Sequence, residues 1–138
     1  MGAREQKQRR IQSFLALGEE EKKAAEILLG LLPRQAAFFQ QQAAEKLVRA
    51  LLEVEDLVAG PTHNLRTLID LLPRDHAMRE DLLRLEDLSS AATRFRYPSG
   101  SGGAPDISIA IVQDRHERLT AVQQKAMAFV AMKMKAGS

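Results

Sequence analysis

Apolar residues recur every three or four positions along most of the chain, which is the spacing of one face of an α-helix. The clearest stretch runs from Ala36 to Val54, and the next clearest carries its apolar residues at 78, 82, 85, 88 and 92. Proline and glycine separate such stretches, at Pro33, at Gly60-Pro61, at Pro73 and across residues 98–105. The pattern predicts five helices, over residues 4–32, 34–55, 63–72, 76–96 and 106–135.

Signals for β-strands are nearly absent, because β-branched and aromatic residues are scarce and Ala, Leu, Gln, Glu, Lys and Arg dominate. A brief alternation over residues 107–112 continues into a helical pattern without a turn, so it is interpreted as the start of the fifth helix. Helices of similar length joined by short connections form up-and-down bundles. The sequence predicts an all-α, four- to five-helix bundle, as one domain over residues 1–138 with a flexible loop at about 98–105.

Composition narrows the function without naming it. The chain has 138 residues and is 45% hydrophobic, enough for the core of one domain. Its 20 Lys and Arg nearly balance its 18 Asp and Glu, which argues against RNA as a partner held by bulk charge. Cysteine is absent, so disulfides, zinc fingers and thiol nucleophiles are excluded. The first residues lead into no apolar run, and a cytoplasmic location is expected.

Motifs of common enzyme classes are not found. There is no G-x-S-x-G, and the glycines at 100, 102 and 103 lack the Lys-Ser/Thr of a phosphate-binding loop. No two of the three histidines lie three to five residues apart, so no metal site is expected. His116 follows Val112 by four residues, which extends the apolar face of the fifth helix, and Arg115 lies between two apolar positions. One interpretation is that both side chains point inward or into a dimer contact. The other is that they belong to a solvated turn of the helix, and the polar run over residues 113–118 favours this second interpretation.

A family resemblance appears at the second predicted helix. Residues 36–52, Ala-Ala-Phe-Phe-Gln-Gln-Gln-Ala-Ala-Glu-Lys-Leu-Val-Arg-Ala-Leu-Leu, resemble the QQAxEKxLKxLL signature of HEPN domains, named for higher eukaryotes and prokaryotes nucleotide-binding. Pro61-Thr62-His63-Asn64-Leu65 resembles the T-H-D-L helix start of that family, and Arg96-Tyr97-Pro98 resembles its R-Y-P. The resemblance covers roughly residues 14–98, with the three motifs in the family's order.

The resemblance implies a helical bundle that is usually homodimeric and that often pairs with a nucleotidyltransferase in toxin–antitoxin couples. It implies no cofactor other than a nucleotide as ligand. In the family, certain polar groups tend to line a cleft proposed for that nucleotide. The positions that carry over to this chain are Gln42, Glu45, Lys46, His63, Arg96 and Tyr97.

Other members of the family are metal-independent RNases in which an Arg is followed four to six residues later by a His. No Arg of this chain has a His at that distance, and Arg115 and His116 are adjacent. The missing motif favours a non-catalytic module that binds a nucleotide or a nucleotidyltransferase partner. Two alternatives stay open: an RNase with His116 as base and Arg115 as phosphate ligand, and a structural or regulatory dimeric subunit.

Overall fold

The computed structural model describes residues 2–92, 97–104 and 106–137. Within these ranges every regular element is a helix, which confirms the predicted all-α bundle. Two long helices, α1 and α2, come first; α3, α4 and a 3-10 helix are short; and the long helix α5 ends the fold. Their bounds are Ala3–Leu28 for α1, Pro33–Val54 for α2, Leu65–Ile69 for α3, Arg79–Leu83 for α4, Glu86–Ala92 for the 3-10 helix and Ile109–Ala136 for α5. No helix in the described part of the chain is long and apolar enough to cross a membrane.

Helix α1 runs in one direction, and the other two long helices, α2 and α5, run in the opposite one. At one end of the bundle, the start of α1 and the last turns of α2 and α5 line a common cavity. At the opposite end, Leu28 of α1 packs with Ala36 near the start of α2 and Val112 near the start of α5. Therefore α1 runs antiparallel to α2 and α5, and the three short helices form the return path between them.

Helix α2 lies at the centre of the core and is buried around most of its circumference. Small residues let its neighbours approach closely: a Cβ built on Gly18 of α1 would lie 3.5 Å from the carbonyl oxygen of Ala43 and 3.4 Å from the Cβ of Lys46. Both distances are ordinary van der Waals contacts. The α1–α2 interface at Gly18 therefore has room for one methyl group and for little more.

Replacing Gly18 with alanine is expected to raise the free energy of unfolding by about 0.5–1 kcal/mol, because glycine inside a helix costs this much relative to alanine. Thermal or urea unfolding of the variant measures the change. The exposed residue Ala16, on the same helix, provides the opposite control, since Ala16→Gly should lower stability by a similar amount. A lower stability of Gly18→Ala would show that the interface has no room for the methyl group.

The prediction of one continuous helix over residues 76–96 is wrong for its described part. Helix α4 ends at Leu83, and its continuation bonds with three-residue spacing: the N–H of Leu85 donates to the Leu82 carbonyl at 2.9 Å, and that of Leu88 to the Leu85 carbonyl at 3.0 Å. Residues 93–96 lie outside the described ranges.

The reason for the break is the spacing of the buried residues. Leu82, Leu85, Leu88 and Ala91 follow one another at intervals of three, and each is at most 1% exposed. A 3-10 helix has three residues per turn, so it aligns such residues on one side. An α-helix has 3.6 residues per turn and would rotate each successive residue by about 60° out of that line. Burying all four favours the tighter helix.

Candidate functional site

A polar face on the otherwise buried helix α2 carries three of the residues predicted for the site. Gln42, Glu45, Lys46 and Arg49 are spaced by three, one and three residues, so they lie on the same side of the helix. Helix α1 covers one edge of this face through Glu21, and residues 60–63 cover another. We call these side chains, together with Gln41 and His63, the α2 polar network.

Glu45 is the centre of the α2 polar network and is only 4% exposed. Its Oε1 lies 2.9 Å from Nδ1 of His63 and accepts a hydrogen bond from Gln41 at 3.3 Å, while Oε2 accepts one from Nε of Arg49 at 3.0 Å. Burial alone would raise the pKa of Glu45, but the hydrogen bonds from His63, Arg49 and Gln41 outweigh it and hold the pKa below its usual value. Glu45 is therefore a buried carboxylate at neutral pH.

Arg49 and Gln41 fasten the segment after α2 onto the helix. Nη2 of Arg49 donates to the carbonyls of Thr62 at 2.8 Å and Gly60 at 3.2 Å, and the amide of Gln41 donates to the His63 carbonyl at 3.1 Å. The sequence places Arg49 on the polar side of α2, as a favourable i,i+4 partner of Glu45. Its second role depends on the path of a segment 11–13 residues away, which no local pattern specifies.

Lys46 extends the network to α1. Its Nζ lies 2.9 Å from Oε1 of Glu21 and donates to the Gln42 side chain at 3.4 Å, and Gln42 donates to Gln41 at 2.7 Å. One connected set of hydrogen bonds thus runs from Glu21 to His63. The structure brings together four of the predicted residues, Gln42, Glu45, Lys46 and His63, and it pairs the charge of Lys46 with Glu21.

The other predicted nucleotide-binding residues are not part of this network. Arg96 lies outside the described residues. Tyr97 is 61% exposed, and none of the hydrogen bonds of the α2 polar network reaches it.

Arg115 and His116 face different elements. Nε of Arg115 lies 3.7 Å from a carboxylate oxygen of Asp87, in the 3-10 helix. His116 is near Glu26 and Lys22 of α1, and its pKa is lowered, first by burial, with Lys22 adding to the effect and Glu26 opposing it. The structure therefore does not direct the two side chains toward a common phosphate.

A cavity of about 380 Å³ borders the α2 polar network at Arg49. Arg10 and Phe14 of α1 form one wall, and residues 56–59 form another. Arg10 is about half exposed and pairs with Glu53 at 3.0 Å. We call this space the Phe14 cavity. Neither Arg10 nor Phe14 was assigned to the site from the sequence, because they lie far from the α2 motif along the chain and outside the three family motifs.

The Phe14 cavity combines an aromatic ring, an apolar rim, two guanidinium groups and the carboxylates of Glu53 and Asp56. Its volume is within the range of about 300–1,000 Å³ that is usual for small-molecule sites. An aromatic ring and apolar side chains suit a planar base, and guanidinium groups suit phosphate oxygens. Among the described residues, no group of three or more His, Asp or Glu side chains is placed to hold a metal ion.

Comparisons with known proteins agree with the motif resemblance. The HEPN domain family model matches residues 12–130. Among solved structures, ST0689, an archaeal HEPN homologue, is similar in fold with a TM-score of 0.66 and 17% identity, covering 87% of this chain and 97% of that one. TT1696 from Thermus thermophilus has a TM-score of 0.61 and 27% identity, covering 90% of this chain and 98% of that one. No curated protein matches the chain.

Proposed function

The chain belongs to the HEPN family, and from this premise we propose that it is a nucleotide-binding module without a catalytic centre of its own. One observation carries the proposal: the α2 polar network, which contains four of the residues matched to the family's nucleotide cleft, borders the Phe14 cavity at Arg49. The polar positions of the motif and a space of ligand size therefore lie side by side.

In this proposal the Phe14 cavity receives the nucleotide. The base contacts Phe14 and the apolar side chains of Leu57 and Val58, and Arg10 contacts the phosphate. The pair of Arg10 with Glu53 lies at the surface, where such pairs contribute about 0–1 kcal/mol, so a phosphate can replace Glu53 at small cost. Lys46, by contrast, is only 18% exposed and is held by Glu21. We therefore assign the phosphate contact to Arg10 and treat Lys46 as a positioning residue.

The geometry favours binding over RNA cleavage. An RNase of this type needs a base and a cation at the same phosphate, whereas Arg115 is directed to the 3-10 helix and His116 to α1. A structural subunit without a ligand would also keep the α2 polar network, since the network anchors residues 60–63. Nucleotide titrations separate that alternative from the proposal.

Replacing Arg10 with alanine is expected to weaken nucleotide binding about tenfold or more, because a hydrogen bond to a charged group contributes about 1.5–3 kcal/mol. Isothermal titration calorimetry with AMP, ADP, ATP and the guanine series measures the affinities. A ligand at 100 times its Kd should also stabilise the fold by about 2.7 kcal/mol. Arg9→Ala is the matched control, because Arg9 is the exposed neighbour of Arg10 and does not line the Phe14 cavity.

Two results would count against this proposal. If the wild-type protein binds none of these nucleotides at millimolar concentration, the chain is a partner-binding or structural subunit. If Arg10→Ala and Arg9→Ala bind equally well, Arg10 is not the phosphate contact. Pairing with a nucleotidyltransferase, membership of a toxin–antitoxin couple and homodimer formation stay predictions from the family resemblance.

A further inference from the structure

A second, larger cavity lies at the end of the bundle where α1 begins and where α2 and α5 end. Its volume is about 540 Å³. Arg4, Lys7 and Arg10 reach it from α1, and Lys133 reaches it from α5. We call it the chain-end cavity, because residues within a few positions of both ends of the sequence line it.

The lining of the chain-end cavity is positively charged. The four cationic side chains face two carboxylates, those of Glu55 and Asp56 at the end of α2. Lys7 pairs with Asp56 at 3.0 Å and Lys133 with Glu55 at 3.6 Å. The lining thus has an excess of two positive charges, and the chain as a whole has a net charge of only +2.

The two cations in excess, Arg4 and Arg10, form no buried ion pair: one contacts a neutral carbonyl and the other forms a surface ion pair. Arg4 donates to the carbonyl of Gly137, and no ion pair joins it to a carboxylate among the described residues. Arg10 pairs at the surface with Glu53, which lines the Phe14 cavity and not this one. An incoming anion can therefore reach both guanidinium groups without separating a buried ion pair.

Capping of helix ends explains only part of this arrangement. Cations are favourable near the carbonyl end of a helix, which accounts for Lys133 and for the contact of Arg4 with Gly137 at the end of α5. Arg4 and Lys7, however, also lie in the first two turns of α1, where the helix dipole disfavours cations. Capping the carbonyl end of α5 therefore does not account for all four cations.

We infer that the chain-end cavity binds an oligophosphate, either a free di- or triphosphate or the phosphate chain of a nucleotide. Arg10 and Asp56 line both this cavity and the Phe14 cavity. The two spaces adjoin there, and a nucleotide with its base near Phe14 extends its terminal phosphates toward Lys7 and Arg4. The placement of a whole nucleotide across both cavities rests on the proposed function, whereas the binding of an oligophosphate in the chain-end cavity does not.

Inorganic triphosphate is the probe for the site. Calorimetric titration of the full chain in metal-free buffer is expected to show binding that weakens as the salt concentration rises. Arg4→Ala and Lys7→Ala should each reduce the affinity about tenfold, the usual effect of losing one hydrogen bond to a charged group. Arg9→Ala has the same charge change on the same helix and should leave the affinity unchanged.

Asp56 provides a test in the opposite direction. Its carboxylate repels phosphate, so Asp56→Asn should bind triphosphate more tightly, by roughly fivefold for one exposed charge interaction. The backbone of residue 56 has a φ of 58°, a conformation that asparagine adopts readily, so this substitution keeps the turn. If the cations only cap helix ends, Asp56→Asn gains no affinity for triphosphate.

Further titrations separate the two sources of the phosphates. If ATP binds more tightly than AMP and Lys7→Ala removes the difference, the cavity holds the phosphate chain of a nucleotide. If triphosphate binds but ATP and AMP bind equally, the cavity serves a free oligophosphate. The inference is overturned if wild-type protein does not bind triphosphate at millimolar concentration, or if Lys7→Ala and Arg9→Ala bind it equally. The proposed function is tested separately. It would still be supported if the affinity for AMP fell in Arg10→Ala but not in Lys7→Ala, even when triphosphate does not bind.

Discussion

Replacing Glu45 with alanine is expected to lower the free energy of unfolding by about 2–4 kcal/mol, the cost of removing one partner from a mostly buried ion pair. Arg49, whose side chain is 17% exposed, would lose its carboxylate, and Gln41 and His63 would lose their acceptor. Urea unfolding with linear extrapolation measures the change. Glu20→Ala, at an exposed position of α1, should change stability by less than about 0.5 kcal/mol.

The contribution of Glu45 to the free energy of unfolding should also depend on pH. Its pKa in the folded chain is below the unfolded value of 4.5, so the unfolded state binds the proton more tightly. The stabilisation is therefore fully present above about pH 4.5 and is lost as the pH falls through the folded pKa. In Glu45→Gln this part of the acid sensitivity should disappear, and the difference in stability from wild type should shrink in acid. Parallel pH profiles for the two proteins would show that Glu45 does not act through its charge.

Leu85→Ala is expected to lower the free energy of unfolding by about 2–5 kcal/mol, the range for truncating a fully buried leucine. Leu85 is 1% exposed and lies in the middle of the line of residues at intervals of three between α4 and the 3-10 helix. Urea unfolding again provides the measurement. The side chain of the adjacent Arg84 is exposed, so Arg84→Ala should remain within about 0.5 kcal/mol of wild type.

The size of the Leu85 effect tests the packing of the return path. A loss below about 1 kcal/mol would mean that the side chain faces solvent or that its neighbours close the space without cost. A full loss would support tight packing of Leu85 in the core beside Leu82 and Leu88. Since Leu65 and Leu68 of α3 belong to the same core cluster, the variant would also loosen the helix that follows His63.

The helical class and the long helices follow from local sequence. The three-and-four spacing of apolar residues between Ala36 and Val54 predicts α2, because only a helix places such residues on one face. The same signal does not separate an α-helix from a 3-10 helix over residues 76–92. Apolar residues at 78, 82, 85, 88 and 92 fit an α-helix, whereas Leu82, Leu85, Leu88 and Ala91 fit a 3-10 helix. The choice depends on which set the rest of the core buries. Local periodicity therefore predicted an apolar helix face over these residues, but it could not predict the pitch of the helix.

The candidate site also has one part that the sequence predicts and another that it does not. Motif spacing alone placed Gln42, Glu45 and Lys46 on one side of α2 and His63 just beyond it, since residues three and four apart share a helix face. The sequence by itself therefore determined the long helices, the polar face of α2 and the family. Only the tertiary structure decided that Lys46 pairs with Glu21, that Arg10 and Phe14 complete a cavity, and that the two ends of the chain bring four cations together. These contacts join residues far apart in sequence, and the packing of the helices, which no local pattern encodes, fixes their distances.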